Sequence, residues 1–158
     1  MSDLSHVDRT GQARMVDVSG KETTERFASA TGSISMSPDA LKAVRKNAVQ
    51  KGDVLAVARV AGIMAAKRTA ELIPLCHPLL LTDVQVTVSI DDTVPGIRVE
   101  SAVRTTGKTG VEMEAIVAVS VALVTVYDMV KSLDKSMVIS GIRLSEKTGG
   151  RSGNWKRT

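Results

Sequence analysis

Residues 71–81, ELIPLCHPLLL, hold the chain's single cysteine, Cys76, next to His77, one of two histidines. Pro74 and Pro78 bracket the pair. Proline lacks a backbone donor and restricts the residue before it, so the helical pattern upstream must stop before Pro74 and the pair falls on a rigid loop. Two reactive chemistries are poorly served there. His6 is the only other cysteine or histidine, which is too few for a tetrahedral metal set. Neighbours on an extended loop point apart, which suits no Cys–His nucleophile pair. Two readings remain: a structural loop with Cys76 as a small apolar residue, or a ligand wall in which His77 makes a fixed polar contact and Leu75 and Cys76 line the surface.

The stretch RTTGKTGVEME, 104–114, is the second cluster. Its GKT is no phosphate loop, because the fingerprint needs a glycine where Ala102 stands. Thr109 and Glu112 have the spacing of a capping box, which competes with a ligand role for Glu112. Glu114 has no such duty. It lies about 200° around the helix from Glu112, so the two carboxylates should diverge. Amides at this helix start could hold an anion.

At the far end of the same helix, YDMVK places Asp128 and Lys131 three residues apart on one face. A surface ion pair is the ordinary reading of that spacing. The preceding turns, AIVAVSVALVTV, are apolar all round, which argues for burial on several sides. A carboxylate beside a lysine at a buried helix end is a natural proton-transfer pair. Glu114 and Asp128 share an azimuth to within about 40° but lie about 21 Å apart along the axis. A compact ligand meets both only if two copies of the helix run antiparallel, so the spacing predicts sites at a two-fold interface. Lys51 stands just before another helix start. Lys147 and Arg151 lie in a Gly-rich basic ending that is either a loose tail or a phosphate-gripping flap.

The elements that must position these groups follow from periodicity. A short strand is predicted at 14–20 and a long one, rich in small residues, at 23–36, then a helix through SPDALKAVRKNAVQ with Ser37 as N-cap and Pro38 as first residue. A longer helix covers 52–72, where Ala58 and Gly62 allow close packing. Val84, Val86, Val88 and Ile90 alternate, as do Ile97, Val99, Ser101 and Val103. With DTVPG between them, 80–91 and 96–106 read as an antiparallel hairpin. A helix over 111–135 and a strand over 137–150 complete the chain. The fold class is α+β: a ferredoxin-like antiparallel sheet with helices on one face, plus an additional N-terminal strand and helix. One domain, 1–158, is expected, with loose tails at 1–13 and 148–158.

Composition narrows the function. The chain is 43% apolar and 24% charged, a globular balance, and no apolar run is read as a membrane span. A lone cysteine points to a reducing cytoplasm. The net charge of +4 suggests an anionic partner, but Phe27, Tyr127 and Trp155 are the only aromatic residues, too few for the stacking platforms of a single-strand nucleic-acid binder. A phosphorylated metabolite fits better than nucleic acid.

The segments KGDV, AKRTAELIPLCHPL, GKTGVEMEA, VSVALVTVYDMVK and KTGGRSG, in this order and spacing, resemble the molybdenum cofactor biosynthesis protein C family, the cyclic pyranopterin monophosphate synthases. The resemblance runs from about MVDVS onward. Val130, Gln50 and the ending GNWK depart from the family's usual pattern. The resemblance implies a lyase that converts 3′,8-cyclo-7,8-dihydro-GTP to cyclic pyranopterin monophosphate and diphosphate by acid–base catalysis, with no redox cofactor. It implies a hexamer built as a trimer of dimers, with sites at the dimer interface. Asp128 matches the catalytic acid/base, and Lys131 and Lys51 the active-site lysines. Leu75, Cys76, His77, Met113 and Glu114 match substrate contacts, with Glu112 and Lys147 nearby. The alternative is a phosphorylated-metabolite binding module without catalysis.

Overall fold

The structure, a computed structural model, describes residues 6–158. Five strands form one antiparallel sheet in the order β2-β3-β1-β4-β5: β1 Thr24–Ser35, β2 Leu81–Asp91, β3 Gly96–Gly107, β4 Val138–Thr148 and β5 Trp155–Lys156. The helices are α1 Pro38–Arg45, α2 Val54–Lys67, α3 Thr69–Leu72 and α4 Glu112–Val130. The first four strands, with α2 and α4 as the crossovers, give the split βαβ pattern of a ferredoxin-like sheet.

Alternation aims the sheet at its helices. Ala28, Ala30 and Ile34 of β1, Val86 of β2, and Ile97, Val99 and Val103 of β3 are buried with Val119, Ala122, Leu123 and Val126 of α4 in one core. The hairpin pairs Val84 with Val103 and Ile90 with Ile97, and β1 adds Ala30 opposite Ser101 and Ile34 opposite Ile97. Buried Ser101 Oγ on this face is satisfied, donating to the Ala115 carbonyl at 2.7 Å. By length and hydropathy alone α4 could cross a bilayer. It is instead the core helix, covered by the sheet on one side and α2 on another.

Close packing of α2 on α4 depends on small residues. A Cβ at Gly62 would meet the Ala118 carbonyl oxygen at 2.9 Å. Asp53 caps α2, its carboxylate accepting from the Ala56 amide at 2.9 Å. The helix expected over 52–72 breaks at Arg68, and Thr69 Oγ1 turns back to the Ala65 and Ala66 carbonyls at 3.3 and 3.0 Å. A hydroxyl that bonds the preceding turn competes with the backbone ladder, leaving only one further turn before Pro74. Ser37 caps α1 with Pro38 in its first turn, as expected. That helix ends at Arg45, earlier than the periodicity suggests, because Asn47 takes a left-handed φ of 51°.

Three further expectations are corrected. Residues 14–20 form no strand; they pair with neither edge of the sheet and run as an irregular strap. Thr109 is no cap: α4 begins at Glu112 after Val111 with no side-chain cap, so there is no capping box. The basic ending is not a plain tail, because β5 folds back to pair Lys147 with Trp155 and Glu146 with Lys156. Gly149 makes that return feasible: its φ is 91°, and a Cβ there would run into the Glu25 carbonyl. Of the expected N-terminal tail, residues 1–5 lie outside the described residues. Residues 8–12 form a turn around the Asp8 carboxylate, with Val7 bridged to Ala13.

Candidate active site

The sequence-predicted residues fall into two clusters at opposite ends of α4. At its C-terminal end, Asp128 Oδ1 meets Lys131 Nζ at 2.8 Å, and Oδ2 meets Lys51 Nζ at 2.6 Å. Lys51 also donates to the Asp128 carbonyl at 3.1 Å. Lys51 comes from the loop that opens α2, which runs antiparallel to α4, and this was not readable from the local pattern. Hydrogen bonds from Lys131 and then Lys51 hold the Asp128 carboxyl down at about 2. The Asp128 partnership in turn raises the Lys131 ammonium. The triad is about half exposed in this chain, so the expected buried helix end is corrected. Val126, Met129 and Val130 turn inward while Asp128 and Lys131 share the open face with Val124.

At the N-terminal end, Leu75, Cys76, His77, Met113 and Glu114 line a cleft of about 330 Å³. The loop that carries Cys76 and His77 is anchored at its end by Thr105 Oγ1, which donates to the Leu80 carbonyl at 2.6 Å. Glu114 is only 4% exposed. Burial, with a smaller push from Glu112, raises its carboxyl to about 7, against a bond from its own backbone amide. Burial and then the Glu114 charge raise the Cys76 thiol, which disfavours the thiolate. His77 Nε2 lies 2.7 Å from the Val16 carbonyl. A carbonyl only accepts, so Nε2 carries the proton and Nδ1 is left for another partner.

Glu112 and Glu114 do diverge around the helix, yet both border this cleft because it wraps the first turn. Glu112 reaches outward to Lys147, with Oε1 and Nζ at 3.1 Å. It thereby enters a second cleft of about 790 Å³, lined by Lys21, Arg26, Lys147 and Arg151 with Thr24, Thr109, Gly110, Glu112 and Ser152. Lys147 Nζ also donates to Ser152 Oγ at 2.6 Å, tying the turn before β5 over the cleft. Lys21, Thr109, Gly110 and Glu112 line both clefts, which therefore adjoin.

Sequence reasoning missed Lys21, Thr24 and Arg26, and missed Val16 and Val18 as cleft walls. Arg26 had a visible signal, an arginine in the small-residue strand TERFASATG. Its Nε and Nη2 donate to the Gly107 and Lys108 carbonyls at 3.1 and 3.2 Å, leaving its remaining donors free for the cleft. Lys21 had no signal, because the strap carrying it has no periodicity.

The arrangement offers a ring-sized cleft with a buried carboxyl, an adjoining cationic cleft, and a carboxylate bridged by two ammonium groups about 21 Å away along the helix. Residues 15–150 match the model of the MoaC family. The chain is 58% identical over 157 residues to the cyclic pyranopterin monophosphate synthase of Thermomicrobium roseum, covering 99% of this chain and 95% of that one. It is 59% identical over 157 residues to the protein of the same name from Heliobacterium modesticaldum, covering 99% of both. It is 60% identical over 153 residues to that of Methylobacterium nodulans, covering 97% and 96%.

Proposed function

The chain belongs to the MoaC family, and from that premise we propose how its residues serve the reaction. It is a lyase of molybdenum cofactor biosynthesis, a cyclic pyranopterin monophosphate synthase acting on a GTP-derived nucleotide. The observation that carries the site assignment is the adjoining pair of clefts. A nucleotide is a flat ring at one end and a chain of phosphates at the other. The smaller cleft, walled by Leu75, Cys76 and Met113, suits the purine-derived ring. His77 Nδ1 and Glu114 supply its polar contacts. The larger cleft suits the triphosphate: Lys21, Arg26, Lys147 and Arg151 oppose its charge. Thr24 Oγ1, buried and unpartnered among the described residues, adds a donor.

Closing the cyclic phosphate joins a sugar oxygen to the α-phosphorus and breaks that phosphorus's bond to the bridging oxygen, which leaves with diphosphate. The hydroxyl proton needs an acceptor, and the leaving diphosphate needs positive charge. Opening the aminal-like ring needs a proton donor. Asp128 is the ionised acceptor and Lys131 and Lys51 are donors, with proton movement following when substrate draws a lysine away from the carboxylate.

One chain keeps the triad far from the clefts. A second copy related by a two-fold axis, with its α4 antiparallel, would bring its triad to the ring cleft. Val57, Val60 and Met64 of α2 and Val124 of α4, 45–58% exposed, form an apolar face that such a pairing would cover. Three such dimers make the hexamer that the family resemblance implies, and a free cysteine suits a cytoplasmic setting.

The test is to incubate the protein with 3′,8-cyclo-7,8-dihydro-GTP and follow diphosphate and pterin product. Stoichiometric appearance of both is expected. Correctly folded protein that binds the nucleotide but releases no diphosphate would leave only a metabolite-binding module.

A further inference from the structure

The strap that walls both clefts is held by side chains rather than by secondary structure. Val16 and Val18 face the ring cleft, and Lys21 lines both clefts. Residues 14–22 have no helix or sheet ladder. After the Arg14 amide's bond to the His6 carbonyl at 2.9 Å, three contacts fix the strap's course. His77 Nε2–H donates to the Val16 carbonyl at 2.7 Å. The Lys21 amide closes a turn on the Val18 carbonyl at 3.0 Å. Lys108 Nζ donates to the Ser19 carbonyl at 2.7 Å. Asp17 adds charge next to that last contact: its carboxylate accepts the Ser19 amide at 2.9 Å, and bonds from Ser19, with smaller pulls from Arg14 and then Lys108, lower its carboxyl.

Lys108 is itself well placed to anchor. It follows the end of β3, and the carbonyls of Gly107 and Lys108 are gripped by Arg26 from β1. A line of bonds therefore runs from the sheet through Arg26 and the 107–108 turn to Ser19, two residues before Lys21. Lys108 lines neither cleft. From this geometry we infer that Lys108 is a positioning residue, whose ammonium pins the strap at Ser19 so that Lys21 is held over the phosphate cleft. The inference rests on the nucleotide-site reading above. A charge-assisted bond that fixes an otherwise unladdered segment lowers the entropy lost when Lys21 engages phosphate.

The tests use the full-length protein. Lys108→Met is expected to raise KM for the cyclised nucleotide about tenfold and leave kcat within about twofold. Lys108→Arg should restore KM, because a guanidinium reaches the same carbonyl. Amide hydrogen exchange at Ser19–Lys21 should quicken in the methionine variant while the core strands stay protected. In a double-mutant cycle, Lys108→Met placed on Lys21→Met should add little further loss, read both as KM and as calorimetric affinity for inorganic diphosphate. Losses that add independently would mean that Lys108 meets the ligand itself and would overturn the inference. So would an unchanged KM, diphosphate affinity and exchange rate. The two readings fail separately. Absent turnover by the wild type rejects the synthase assignment, while diphosphate affinity and exchange still decide the role of Lys108.

Discussion

Glu114 and Asp128 stand fourteen residues apart on α4, and their surroundings drive their carboxyl groups in opposite directions. Burial lifts Glu114 to about 7, and the hydrogen bonds of Lys131 and Lys51 lower Asp128 to about 2. One carboxyl can therefore exchange a proton near neutrality, while the other remains an anion across the whole physiological range.

Glu114 sets a pH dependence of stability. Its folded pKa lies above its ordinary value of 4.5, so the folded state binds the proton more tightly than the unfolded one. Stability from this group is present below about 4.5 and is lost as pH rises through about 7. The loss is at most about 3 kcal/mol. Glu114→Gln should remove that slope. Urea unfolding at pH 5 and pH 8 should show the variant gaining on the wild type at the higher pH. An unchanged slope would show that the carboxyl is not desolvated.

Asp128→Asn should lower kcat for diphosphate release by about 10²–10⁴-fold, the range of a lost acid–base group. The triad is exposed and its ion pairs contribute little stability, so thermal unfolding should move by no more than about 2 °C. A variant that keeps its turnover would exclude Asp128 from the chemistry.

Site sharing between two copies can be read by mixing. Asp128→Asn and Glu114→Gln proteins should each be weakly active alone. After unfolding and refolding together, half the dimers pair one of each, and one of their two sites joins intact Asp128 to intact Glu114. About a quarter of wild-type activity should return. No recovery would place both residues in the same subunit's site.

Lys147→Met should weaken inorganic diphosphate binding about tenfold or more, because Lys147 lines the larger, cationic cleft and ties Ser152 over it. The difference from wild type should shrink as salt is raised from 0.05 to about 0.5 M. Isothermal titration at the two salt concentrations checks both statements.

Gly62→Ala should destabilise the fold by about 1–3 kcal/mol. The added methyl meets the Ala118 carbonyl at 2.9 Å, a backbone atom that cannot rotate away. The midpoint of denaturant unfolding should fall with its slope unchanged.

Much of the architecture was legible because it is written in period and punctuation. The alternation of Val84, Val86, Val88 and Ile90 against Ile97, Val99, Ser101 and Val103 specified the hairpin and its inner face. Ser37 and Pro38 marked the start of α1. Misreadings arose where a distant partner decides. RMVDVSG has strand-like residues but joins no ladder, and it lies as the strap along the two clefts. Thr109 and Glu112 have capping-box spacing, but Glu112 turns outward to Lys147 instead.

By itself the sequence determined the residue types and local spacing: an i,i+3 acid–lysine pair on a long apolar helix, a proline-locked Cys–His loop, and the family motifs that join them. Tertiary structure alone decided that Lys51 completes the Asp128 triad, that Lys21 and Arg26 meet Lys147 around one cleft, and that Lys108 grips Ser19. The two bonds join residues 77 and 89 positions apart, and the cleft gathers residues up to 126 apart, Lys21 and Lys147. Periodicity reports only neighbours a few residues away, whereas such pairings exist only after the sheet order and the antiparallel packing of α2 on α4 have brought the segments together.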